Sequence, residues 1–187
     1  MRPIVLTDEQ LRYDGSQISS LWAYTKFKVS EDTIVSFRGP CDVNIEHMID
    51  LEDKVLNESI VSTDMIHFII EHFDSNNLKL VYTRQRLFVN IVAEILSEYC
   101  MNIMRDGDDL FINSKKLSVS IASVSSVSQK IHFGLNVVHD SYGSLDMAGI
   151  NGDETVSAIM HKIAQRYCTE FNDIEADLRK SRPLDVF

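Results

Sequence analysis

Cysteine is scarce and scattered: Cys41, Cys100 and Cys168 are the three present in 187 residues. An odd number with no common spacing excludes a disulfide framework and fits a reducing cytoplasm. Neither a CxxC nor an HxxxH spacing occurs, so the usual zinc signatures are absent. With three prolines and seven glycines, long disordered linkers are not expected. Long apolar runs are missing too. "MIHFII" is far too short to cross a bilayer, and "MRPIVLTDEQ" lacks the apolar core of a signal peptide. No partnership with a membrane is expected. Positive charge is in deficit, with 18 Lys and Arg against 28 Asp and Glu and a net charge of −10. No basic run exceeds two residues, so a polyanion such as nucleic acid would be repelled.

What remains is an ordinary soluble composition, 44% hydrophobic and 25% charged, in a length that suits a single domain over residues 1–187. No internal repeat is visible. "YDGSQISS" reads as a turn built on Asp14 and Gly15. "LWAYTKFKV" and "TIVSFR" read as two strands joined by a "SED" hairpin connection. "HMIDLEDKVLNES" is an acidic loop with a helical turn, and "MIHFIIEHF" (65–73) a buried strand. Leu87, Phe88, Ile91, Val92, Ile95, Leu96 and Tyr99 recur at helical spacing, which predicts an amphipathic helix over 83–99. Three strand-like runs follow: "DLFIN", "KKLSVSIASV" and "KIHFGLNVV". The tail is helical again, with Asp153 as N-cap and a stripe from Val156 to Ile174. Two helices covering one mostly antiparallel sheet define an α+β architecture.

The chemistry concentrates in "DLFINSKKLSVSIASVSS", residues 109–126. Strand side chains alternate between faces, which sets Leu117, Val119 and Ile121 against Lys116, Ser118, Ser120 and Ala122. On the following strand, Ile131, Phe133, Leu135 and Val137 oppose His132, Gly134 and Asn136. If the polar faces lie side by side, a lysine, two hydroxyls, an imidazole and an amide surround open space over a glycine. Such a pocket suits an anionic ligand. The plainer reading is a solvated serine face with Lys116 guarding a sheet edge.

These residues carry a resemblance. "DLFINSKKLS" resembles the "DLYxxxxKLxG" segment of biotin protein ligases, with the same distance from Asp109 to Lys116. "HFGLNV" (132–137) resembles their "GxGxNV" strand and the "GLxLNV" strand of lipoyl (octanoyl) transferases. Over nearly its whole length, on "YDGSQISSLWAY", "FRGPCDVNIEHMIDLED" and "LFINSKKLSVSIAS", the chain resembles a mainly archaeal family, domain of unknown function 366. The resemblance implies a biotin/lipoate ligase-like fold, related to class II aminoacyl-tRNA synthetase catalytic domains. It also implies that Lys116 matches the lysine touching the acyl carboxylate and adenylate phosphate, an electrostatic role. Asp109, Gly134 and Asn136 match their ligase counterparts, and Arg38 and Gly39 stand near the ligand loop.

The sequence also departs from that pattern. Val119 occupies a ligase glycine position, His132 another, Pro40 follows the single glycine of "FRGPC", and Asp108 replaces an asparagine. No cysteine stands near "DSYGSLDM", where the transferases carry their nucleophile. Two readings follow. In one, the chain is a ligase- or acyltransferase-like enzyme, with Lys116 catalytic, a small carboxylate or acyl-adenylate as ligand, and ATP and Mg²⁺ as cofactors. In the other, it is a non-catalytic small-molecule-binding or interaction module. In both, Arg38, Gly39, Asp109, Ser118, Ser120, His132, Gly134 and Asn136 are ligand-binding candidates. A homodimer suits either reading.

Further groups are weighed against duller roles. Glu46 and His47, with Asp50, Glu52 and Asp53, could hold a divalent cation or simply form a solvated acidic loop; Glu46 and His47 are kept as second-tier site residues. His67 and Glu71 share one strand face and His72 the other, a pattern favouring structural hydrogen bonds. Arg84 and Arg86 sit in a helix's first turn, where a salt bridge or an anion contact would hold them. Trp22 is a core candidate.

Overall fold

The computed structural model describes residues 1–43, 45–56 and 60–185, apart from the side chains of Glu52, Asp53 and Leu56. Strands β1 (Arg2–Gln10), β2 (Thr33–Asp42), β3 (Val61–His72), β8 (Gln129–Val138) and β7 (Ser118–Val124) form one five-stranded sheet, in that spatial order. β1 runs parallel to β2, and every other pairing is antiparallel. Three short strands, β4 (Ile103–Asp106), β5 (Asp109–Ile112) and β6 (Lys115–Lys116), form a second small sheet. Helices α1 (Trp22–Phe27), α2 (Leu51–Leu56), α3 (Leu78–Ser97) and α4 (Asp153–Leu178) complete the order.

The two long helices pack on one face of the large sheet. Phe68 of β3, Phe133 of β8 and Phe88 of α3 meet there edge to face, with Tyr167 of α4 against Phe88. Each such side chain contributes on the order of 1.5–3 kcal/mol by leaving water. The opposite face carries a smaller cluster of Tyr13, Ala23, Val35, Phe37, Cys41, Met65 and Ile69. β3 is therefore buried on both sides, which is why its sequence is nearly unbroken apolar text. The α+β architecture, the buried strand and both amphipathic helices are as the sequence predicts.

Three local expectations are corrected. "LWAYTKF" is not a strand: residues 22–27 form helix α1, bounded by Leu21 and Lys28 in the left-handed region. The N–H of Leu21 is tied to the buried Glu71 carboxylate at 2.8 Å, and Trp22 packs against Phe27 and Phe37. Six residues of mixed polarity fit either period, and these tertiary anchors select the helix. β1, at the sheet edge, had no strand signal beyond its short apolar stretch. The N-cap of α4 is Gly152, not Asp153, because the Asp153 carboxylate is taken by Arg38 at 2.7 Å.

The run "KKLSVSIASV" is not one strand. Leu117 leaves β6 and enters β7, giving its N–H to Leu110 of the small sheet and its carbonyl to Asn136 of the large one. The chain thus changes sheets at a single fully buried residue.

Candidate functional site

The turn before Lys116 is compact. Asn113 and Ser114 both have positive φ, 49° and 64°, the signature of a two-residue hairpin turn matched to strand twist. It sets Lys116 opposite Phe111. Asp109 lies two residues before Phe111 on the same face, so the lysine reaches it diagonally. The Lys116 Nζ lies 2.9 Å from Asp109 Oδ2, both side chains being partly exposed. The spacing between these two residues is thus the spacing of a hairpin.

Beside this pair, on the sheet face away from the long helices, is a cavity of about 220 Å³. Its wall is mixed: the apolar part is Met65, Val119 and Ile121 from the sheet, with Val43, Met48, Ile49 and Ile60 from the loops around α2. Tyr13, His47, Asp50, Ser62, Ser118, Ser120, His132, Asn136, His139 and Tyr142 also line it, so the wall carries a carboxylate as well as the Lys116 ammonium. Lys116 is the one lysine or arginine among the described residues of the wall.

The predicted arrangement of faces is wrong in a specific way. Ser118 and Ser120 pair with Leu135 and Phe133, whereas Val119 and Ile121 pair with Gly134 and His132. The crossover at Leu117 resets the alternation, so Lys116 and the two serines do not share a face. Both serines border the cavity, but their hydroxyls are committed elsewhere. Ser118 Oγ accepts from the Leu110 N–H at 2.8 Å, and Ser120 Oγ from Gln85 Nε2 at 2.6 Å. Valine and isoleucine, expected as core, take the cavity side.

Other candidates divide. His132 and Asn136 do line the cavity with Lys116. Asn136 Nδ2 donates to the Gly143 carbonyl at 3.0 Å. Gly134 lies beneath the wall: a Cβ there would meet Met65 Cε at 2.7 Å and Val119 Cγ2 at 3.0 Å. Arg38 and Gly39 are not wall residues. Arg38 grips Asp64 through two nitrogens, at 2.8 and 2.6 Å, and reaches Asp153 as well. These carboxylates hold its guanidinium charge firmly, with the pKa raised. Gly39 is glycine because a Cβ would sit 2.3 Å from the Leu11 carbonyl. Of the second-tier pair, His47 lines the cavity and Glu46 does not; His47 Nδ1 donates to the Asp14 carbonyl at 3.0 Å. The side chains of Glu52 and Asp53 lie outside the described residues.

The strand β3 histidines are structural, as the sequence suggests. His67 Nε2 lies 3.3 Å from the Gly39 carbonyl, and its Nδ1 lies 3.1 Å from His132 Nε2. Tyr13 stacks on the His132 ring, centroids 3.6 Å apart and planes 11° apart. Burial drives the His67 pKa down to about 3 and that of His132 well below its ordinary value, so both rings are neutral. Next along the same face, Glu71 and Lys130 form a buried pair at 3.1 Å. Glu71 also accepts from Ser128 Oγ and the Leu21 N–H. Tyr13 and Lys130 were missed, the first read only as a turn residue and the second as strand text. Asp32, His72 and Asp74 cluster within 4.8 Å. His72 donates to Asp32 and faces the Tyr167 hydroxyl, while Asp74 is bound by Arg84, so each group already has a protein partner. Arg84 pairs with Asp74 and Arg86 with Asp108; because α3 begins at Leu78 rather than Thr83, both arginines lie beyond its first turn, contrary to the sequence reading. Trp22 is only partly buried, at the edge of the smaller core.

A fold with two long helices behind a mostly antiparallel sheet is the biotin/lipoate ligase-like architecture. Solved structures of that class agree. A biotin protein ligase from Aquifex aeolicus in complex with biotin and ATP superposes with a TM-score of 0.54 at 16% identity, covering 89% of this chain and 70% of that one. A T. acidophilum protein with bound lipoic acid, a candidate lipoate protein ligase, gives 0.55 at 12% identity, covering 88% and 84%. At these identities the likeness is one of fold. The chain itself belongs to the family described as domain of unknown function (DUF366), whose pattern matches residues 1–182. An uncharacterized protein of Methanocaldococcus jannaschii is 42% identical, over 97% of this chain and 85% of that protein. A protein of unknown function from Pyrococcus horikoshii shares 36% identity with a TM-score of 0.90, over 98% of this chain and 100% of that one. No helix among the described residues is long and apolar enough to cross a membrane.

Proposed function

We propose that this chain binds a small carboxylate with an apolar body, its head at Lys116 and its body against Met65, Val119 and Ile121. The observation that carries this reading is Lys116, the one lysine or arginine among the described wall residues, beside the apolar patch of Met65, Val119 and Ile121. Apolar walls with a few placed polar groups are how proteins hold small molecules. One ammonium suits one carboxylate.

The same wall does not fit a nucleoside triphosphate. Arg38 is committed to Asp64 and Asp153, Gly39 is covered by Leu11, and Asp109 already offsets part of the Lys116 charge. Triphosphates call for several converging cations or a backbone nest. These features favour a binding module over an ATP-dependent ligase, and no ATP or Mg²⁺ step is assigned to the chain.

Calorimetric titration with octanoate, lipoate and biotin, each beside its neutral amide, tests the proposal. The acid is expected to bind more tightly than its amide, with the difference lost in Lys116→Ala. Equal binding of acid and amide, or none of either, would overturn it.

A further inference from the structure

We infer that Nδ1 of His132 is a hydrogen-bond acceptor built into the cavity wall, so that the ligand carries an N–H or O–H donor on its apolar body. This deepens the proposed carboxylate site and rests on the same cavity.

The argument starts at Gly39. A backbone carbonyl can only accept, so the His67 nitrogen 3.3 Å from it, Nε2, carries a proton. A neutral imidazole has one N–H, which leaves His67 Nδ1 as a lone pair. That lone pair faces His132 Nε2 at 3.1 Å, so His132 Nε2 must donate. His132 has then spent its only N–H, and its Nδ1 is bare. The ring lines the cavity, and this nitrogen has no hydrogen-bond partner among the described residues. Each bond in the series donates from cavity toward sheet.

The rings are also held in place. Tyr13 stacks against one face of His132, and Phe37 packs against His67, centroids 5.0 Å apart. His67 and His132 are 0% and 3% exposed, so neither can turn outward to exchange tautomers without opening the core. Protonating either ring would bury a cation beside the other ring. The relay thus fixes an acceptor rather than an ambivalent imidazole. Such a site discriminates well, because a buried acceptor left unpaired is costly. An alkyl chain would leave Nδ1 unpaired, whereas a chain with a hydroxyl or amide N–H would satisfy it.

Two measurements test this independently. Long-range ¹H–¹⁵N spectra of the ligand-free protein at neutral pH are expected to show His67 and His132 both protonated at Nε2 and bare at Nδ1. A proton on Nδ1 of His132 would overturn the inference. Titration with octanoate, hydroxyoctanoates of varied hydroxyl position, and the corresponding octanediols then separates the two proposals. The best hydroxylated acid should bind about tenfold more tightly than octanoate, the worth of one good hydrogen bond, and should shift the His132 Nδ1 resonance. His132→Phe, which keeps the stacked ring, should erase the preference. A diol that shifts Nδ1 when no acid is held by Lys116 keeps the acceptor and refutes the carboxylate reading. Acids that bind alike with or without the hydroxyl, leaving Nδ1 unmoved, refute the acceptor alone.

Discussion

Lys116 and Asp109 meet at 2.9 Å at the edge of the cavity, with 41% and 29% of their side chains exposed. The hairpin between β5 and β6 makes this contact almost unavoidable, since it places both residues on one strand face. The carboxylate competes with any acid for the same ammonium. A half-exposed pair of this kind contributes at most ~1 kcal/mol, so a ligand can displace it.

Asp109→Asn should therefore strengthen octanoate binding, by up to about fivefold, the equivalent of ~1 kcal/mol. Lys116→Ala should weaken it by about tenfold, as expected for a charge-assisted hydrogen bond of ~1.5 kcal/mol or more. Calorimetry on the two variants gives opposite signs if the lysine holds the acid. Affinity that falls in both would mean that Asp109 supports the site in some other way.

The buried histidines predict how stability responds to acid. Their folded pKa values lie below the ordinary 6.5, that of His67 at about 3. The unfolded chain thus takes up protons first as pH falls. Stability is fully present above about pH 6.5 and declines toward about pH 3, by up to ~1.4 kcal/mol per pH unit for each histidine. Urea unfolding at several pH values between these limits should show the decline. A His67→Phe, His132→Phe double variant should make it shallower, leaving the contributions of His72, whose pKa burial also lowers, and of Asp14, Asp32 and Asp74, whose pKa values are lowered too.

Glu71 and Lys130 make a different kind of test. Their side chains are 1% and 3% exposed, and desolvation pulls the lysine pKa down while its partner pulls it up. Removing one member strands the other: Lys130→Met or Glu71→Gln should each cost about 3–5 kcal/mol. The double variant keeps an amide oxygen for the Leu21 N–H and Ser128 hydroxyl, so it should cost far less than the two singles together. Chemical denaturation of the four proteins measures the coupling.

The legibility of this chain follows from where local rules hold. Helices α3 and α4 were readable because each buries one continuous stripe against the sheet. Strand β3 was readable from its apolar length. The Lys116 to Asp109 spacing was readable because a hairpin is a local object. The serine face failed for the opposite reason. Strand alternation cannot foresee that the chain changes sheets at Leu117, and a single irregular residue moves Ser118 and Ser120 to the other side. Tyr13 and the His67–His132 relay were hidden because their partners lie up to 119 residues apart in sequence, from Tyr13 to His132. Arg38 carried a ligand-loop signal, yet Asp64 and Asp153, both distant in sequence, claim it.

Gly39 and Gly134 both matched the ligand-loop or ligand-strand pattern, and substitution separates their roles. A methyl on Gly39 would collide with the backbone carbonyl of Leu11 at 2.3 Å. Backbone cannot step aside cheaply, so Gly39→Ala should lose roughly 3 kcal/mol or more, at or above the upper end for overpacking. At Gly134 the obstacles are Met65 Cε, the far end of a flexible side chain, and the Val119 methyl. Methionine can swing away, so Gly134→Ala should cost only about 1 kcal/mol. Both displaced side chains line the cavity, however, and must move into it or along it. Gly134→Ala should then weaken octanoate binding while leaving the fold intact, and Gly39→Ala should lower the melting temperature first. Melting curves and titrations on the two variants would show that separation. A Gly134→Ala protein with unchanged affinity would place the ligand away from Met65 and Val119.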